Sequence, residues 1–155
     1  MVKVIGTILC AIGKALGGSV AEGVIVRPKI KPVGTISMHS AITILQAKLA
    51  EMGDSFAEIY LPDAAIKTYA VADVEKAYSL ELVSSVKYVA EVHDCDDFAA
   101  ELYGKFAGLV WSDLHALNFF FDENEVMWFI EPQSKKLTKR LAGWQGTDIR
   151  FFIAR

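Results

Sequence analysis

Three residues of the 155-residue chain have the side-chain types that nucleophilic catalysis uses: Cys95, His115 and Glu131. After Cys95, the apolar residues Phe98, Leu102 and Phe106 recur at four-residue steps with Ala99 and Tyr103 beside them, which predicts a helix starting at or just before the cysteine. A helix N-terminus offers unpaired N–H groups and the positive end of the macrodipole, and both favour a thiolate. Asp94, Asp96 and Asp97 oppose that effect; their roles are to cap the helix or to bind a hard cation such as calcium. Residues 115–121 and 126–131 read as two strands around the turn 122–125, a β-hairpin. A three-residue loop, Asp122 to Asn124, pairs Phe121 with Glu125 and sets His115 directly opposite Glu131. A two-residue loop, Glu123-Asn124, puts the two on opposite faces. The expectation is the odd loop, with Leu117, Phe119, Met127 and Phe129 on the face of His115 and Glu131. The three residues then make a nucleophile, a base and an orienter. Each also has a plain structural role: a small apolar residue at a helix start, a histidine opening a strand, and a carboxylate before Pro132 ending an edge strand.

The elements that must position these residues fit one domain. Hydrophobic residues are 53% and charged ones 23%, with mean hydropathy +0.32, which excludes a disordered chain. Net charge is −3, from 16 basic and 19 acidic residues, so no basic stripe is expected and nucleic acid is not an expected partner. Two cysteines, Cys10 and Cys95, make no disulfide scaffold, and the absence of CxxC spacing argues against structural zinc.

Residues 1–25 carry only Lys3, Lys14 and Glu22 as charges. Their uncharged run from Val4 to Gly13 is too short to span a bilayer, so any membrane association is expected without a transmembrane span. Lys3 and that run resemble a secretory signal, although Leu9 is too bulky for the position before a lipoprotein cysteine. Ile5, Ile8, Leu9, Ile12 and Leu16 form a helical stripe that suits docking in a homo-oligomer or a larger assembly. Arg27-Pro28-Lys29-Ile30-Lys31-Pro32-Val33-Gly34 reads as an extended linker. The expected organisation is an arm and linker over 1–34 and a compact domain over 35–155. Within the latter, Ser40 is expected to cap a helix over 41–52, 56–61 to be a strand, Asp73 to cap a helix through Tyr78, and 86–91 to be a second strand.

Asp94-Cys95-Asp96-Asp97-Phe98-Ala99, His115-Ala116-Leu117-Asn118 and Trp128-Phe129-Ile130-Glu131-Pro132-Gln133, in that order, resemble the papain-like C-terminal domain of a mushroom agglutinin and its bacterial and phage relatives. More distantly they are similar to transglutaminase-like cysteine peptidases. The resemblance implies an α+β fold, a papain-like/transglutaminase-like core in which a helix-start cysteine packs on an antiparallel sheet. It also implies a thiol hydrolase acting on peptide or isopeptide bonds, with Cys95 as nucleophile, His115 as general base and Glu131 as orienter. Acyl transfer would use the same triad. No cofactor is required, but calcium supports activity in the agglutinin branch, which would give Asp94, Asp96 and Asp97 a metal-binding role. Val89 stands six residues before the cysteine, where papain-like enzymes often place an oxyanion-hole glutamine, leaving Gln133 and Asn118 as supporting candidates. No sugar-binding repeat is present. The alternative from another class is a non-enzymatic structural or assembly protein, such as a phage virion or tail component, that retains the fold. A cytoplasmic or virion-associated location is expected rather than secretion.

Overall fold

Ser37, three residues earlier than expected, begins the first helix. It is extended (φ −65°, ψ 151°), and its Oγ accepts from the Ser40 amide at 3.1 Å, so Ser40 is the residue being capped. The computed structural model describes residues 30–53, 56–79, 87–146 and 148–155. The arm at residues 1–25, with its expected stripe and Cys10, lies outside the described residues.

In chain order the elements are β1 (Gly34–Ser37), α1 (Met38–Met52), β2 (Glu58–Tyr60), β3 (Ala65–Tyr69), α2 (Val71–Ser79), α3 (Cys95–Tyr103), β4 (Gly108–Ser112), β5 (Ala116–Asp122), β6 (Met127–Glu131), β7 (Lys136–Thr138) and β8 (Ile149–Ile153). A single 3₁₀ turn covers Gly143–Gln145. The fold is mixed: one eight-stranded sheet and three helices among the described residues. The strand order is β1-β3-β5-β4-β8-β2, with β6 added to β5 and β7 to β6. β2–β8 and β3–β5 are parallel, and the other pairs are antiparallel.

β5 is buried along its whole length because helices cover both faces of the sheet. Alternation sends Leu117, Phe119 and Phe121, with Met127 and Phe129 of β6, into a cluster with Ala41, Leu45 and Leu49 of α1. Phe120 and Ile130 go to the other face, where they meet Phe98 and Leu102 of α3, Phe106, Tyr69 and Val74. Burial of this kind stabilises by about 1.5–3 kcal/mol per large apolar side chain. β4 runs close beneath Phe119: a Cβ at Gly108 would meet that ring at 2.4 Å and the Ile153 carbonyl at 2.9 Å, so only glycine fits. Gly53, left-handed at φ 78°, ends α1 as expected.

The strand expected over 86–91 is corrected. Val89 and His93 exchange backbone hydrogen bonds at 2.9 and 2.8 Å across a tight turn in which Glu91 has φ 59°. Alternating residues make a strand only where a neighbour supplies a ladder, and here the chain folds back on itself instead. β1 begins at Gly34, the last residue of the expected linker. Ile30 already packs on the α3-side cluster, and the Val33 amide donates to the Thr68 carbonyl at 2.9 Å. Asp73 lies in the first turn of α2 rather than before it.

Candidate functional site

Cys95 is the first residue of α3, and Asp94 is its extended N-cap (φ −119°). Asp97 Oδ2 accepts from the Asp94 amide at 3.2 Å, and Asp94 Oδ2 accepts from the Glu91 amide at 3.1 Å, so these two carboxylates organise the helix start. Burial pushes the Cys95 thiol above its ordinary pKa, and the neighbouring charges of Asp94 and Asp96 push it further. The Ala116 amide donates to the sulfur and its own amide assists, both acting downward without reversing the direction. The net direction is upward, so the fold holds the proton on this thiol more firmly than on a free one. Asp94 and Asp96 share a side-chain hydrogen bond, which lowers the pKa of the first and raises that of the second.

The ligand atoms of Asp94, Cys95 and Asp96 lie within 4.8 Å of one another. Two carboxylates and a thiol do not fit calcium, which takes six to eight oxygens. Asp97, the third carboxylate expected there, is turned to the cap.

His115 emerges from the β4–β5 turn, held by its amide on Ser112 Oγ at 2.9 Å. Its Nε2 lies 2.8 Å from Glu131 Oε2, and both residues are buried. Gln145 Nε2 donates to the same oxygen at 2.9 Å, while Ser112 Oγ donates to the Gln145 carbonyl at 2.6 Å. Trp144 covers the imidazole, with ring centroids 5.2 Å apart, yet is itself 62% exposed; the adjoining Leu114 is 64% exposed.

The hairpin has the expected odd loop at a shifted position. Phe121 pairs with Met127 and Asn118 with Ile130, so Glu131 stands opposite Leu117 in register and diagonal to His115. Parity is unchanged, and diagonal neighbours lie within side-chain reach. Asp122 causes the shift. Its Oδ1 accepts from the Asn124 and Val126 amides, both at 2.8 Å, and its Oδ2 from Trp128 Nε1 at 2.9 Å. The loop is thus Glu123 to Glu125, with Glu125 left-handed at φ 61°.

Asn118 serves the scaffold. It is fully buried, and its Nδ2 donates to the Ala99 carbonyl at 2.9 Å and the Gly108 carbonyl at 3.0 Å, clamping α3 to β4. The Gln133 amide donates to Glu131 Oε1 at 3.3 Å. Among the described residues no hydrogen bond joins the Cys95 thiol to the His115 ring, although the sulfur is bonded to the very next residue's amide. Ser112, Trp144 and Gln145 were not anticipated. Their signal was the run Gly143-Trp144-Gln145-Gly146, where Gly146 has φ 86° and a Cβ would meet Ser112 Oγ at 2.5 Å.

Two solved structures share this arrangement of elements. The PSL1a-E64 complex superposes with a TM-score of 0.62 at 20% identity, covering 77% of this chain and 51% of that one. The Polyporus squamosus lectin bound to the human-type influenza-binding epitope Neu5Aca2-6Galb1-4GlcNAc superposes with a TM-score of 0.59 at 19% identity, covering 77% and 49%. The chain spans about half the length of these solved chains. No protein-family model and no curated protein matches the sequence. The likeness supports the mushroom-agglutinin type of fold, while the papain-like and transglutaminase-like relationships are not shown by it. The expected thiol hydrolase, and acyl transfer with it, are corrected: the solved neighbours include a lectin bound to a glycan, and the likeness, at 20% identity or less, carries the fold and no cysteine peptidase chemistry.

Proposed function

We propose that the chain is a non-enzymatic binding module that retains the agglutinin-type fold and docks protein chains, beginning with copies of itself. The observation that carries this reading is the division of the candidate site into a closed polar base and an open apolar rim. His115, Glu131 and Gln145 satisfy one another, and the fold favours the protonated form of the nearby thiol. Trp144, which packs on the His115 ring, and Leu114, the residue before His115, are exposed. Rigid aromatic area over a buried, hydrogen-bonded base is the usual composition of an interface hot spot. The apolar stripe expected at residues 5–16 is the natural counterpart in a second copy, giving a homo-oligomer or a larger assembly such as a virion component. No helix of the described residues is long and apolar enough to cross a membrane.

A second reading, glycan binding, is favoured by the lectin bound to a sialylated trisaccharide. Sedimentation of the full chain and of Trp144→Ala separates the outcomes. The proposal expects a concentration-dependent oligomer that Trp144→Ala weakens at least about tenfold, a loss of about 1.4 kcal/mol. A strictly monomeric protein that binds the trisaccharide through Trp144 would replace docking with the glycan reading.

A further inference from the structure

Four of the six residues from Lys135 to Arg140 are cationic, in a chain whose net charge is −3, so the positive field is local and the rest of the surface is acidic. This run contains β7, which pairs with β6 and with no other strand among the described residues. Leu137 turns inward onto the α3-side cluster and anchors the strand, while Lys136, Lys139 and Arg140 are exposed. Lys139 Nζ is held 4.5 Å above the Trp128 ring, and Arg140 Nε is fixed by Glu51 at 2.8 Å, so two of the three cations have set positions. Thr138 closes the strand through hydrogen bonds with the Arg140 amide and carbonyl.

Lysines on an edge strand ordinarily serve to repel other edges. Here Lys139 and Arg140 stand, tethered, just beyond the end of a strand whose outer side carries no other strand among the described residues, and they add a recognition pattern to that repulsion. We infer that the outer edge of β7 accepts an extended acidic peptide segment as an added strand, backbone to backbone, with one carboxylate paired to Lys136 along the strand and others to Lys139 and Arg140 beyond its end. A long polyanion such as a nucleic acid suits the site poorly, because this basic stretch is short and the chain as a whole carries a net charge of −3. The inference uses neither Leu114 nor Trp144 and stands independently of the function proposed above.

The probe is a fluorescein-labelled hexapeptide alternating Glu and Thr, titrated with the full chain, beside a Lys-Thr peptide and a DNA duplex. The expected result is saturable binding of the acidic peptide alone, weakened at least about fivefold between about 50 and 300 mM salt. Slowed amide exchange over residues 136–138 should accompany it. Lys139→Glu should weaken binding at least about tenfold, and Lys136→Gln, which leaves the Trp128 contact intact, should weaken it less. Thermal melts of both variants verify folding. No binding at millimolar peptide, tighter binding of the duplex, or binding without amide protection in β7 would each overturn the inference.

Discussion

Cys95 carries opposing influences within one side chain. The amides of Ala116 and of Cys95 itself favour its thiolate, while burial, the largest influence, and the carboxylates of Asp94 and Asp96 oppose it, and the net direction is upward. A pKa raised in the folded state means stability that is present below the unfolded thiol value and lost as pH rises through the folded one. The melting temperature should therefore fall on going from about pH 8 to about pH 10.5, and Cys95→Ala should flatten part of that slope. The buried Tyr69 phenol, raised chiefly by burial, and the Tyr60 phenol, raised by its hydrogen bond to Glu58, act in the same direction. Identical alkaline melts for the wild type and Cys95→Ala would mean that the thiol is not raised. Glu131 is the other decisive residue, because removing it strands two buried donors at once. Glu131→Ala should cost roughly 1–3 kcal/mol for each unsatisfied partner, read from denaturant melts, and Glu131→Gln should recover part of it. A neutral Glu131→Ala would show that the latch is absent in solution.

The hairpin and the cysteine helix show what an element reveals in sequence. Strand alternation and helical four-residue steps made both legible, together with the pairing of His115 and Glu131 on one face. The register was legible only to its parity, because the deciding contacts are those of the Asp122 carboxylate with amides two and four residues on. β3 and β8 escaped notice since they draw their hydrogen bonds from distant segments, and β4 and β7 since they are short strands joined to β5 and β6 by tight turns. Asn118 was visible as a polar residue in an apolar strand, but its two acceptors lie on α3 and at the start of β4, and neither is predictable from spacing. Asn118→Leu should loosen α3 from β4 at a cost of about 1–3 kcal/mol, with hydrogen exchange over residues 95–103 accelerating ahead of β5. Uniform exchange across both elements would assign Asn118 no clamping role.

At the scale of the whole molecule, the sheet stacks two apolar clusters on opposite faces and leaves the candidate site at one end of the central strand β5. The motifs in the sequence pointed correctly to the agglutinin type of fold, and the activity inferred from them did not follow. Residue types and chain order report a fold, while proton positions depend on burial and charge that only the folded chain supplies. The central claim, a site that binds without thiol chemistry, is tested most directly by the rate of Cys95 alkylation with iodoacetamide between pH 5 and 10, in the native protein and in His115→Ala. The account predicts a single rise centred above the free-thiol value of about 8.5, unchanged by His115→Ala. A fast plateau at neutral pH that disappears in His115→Ala would contradict it.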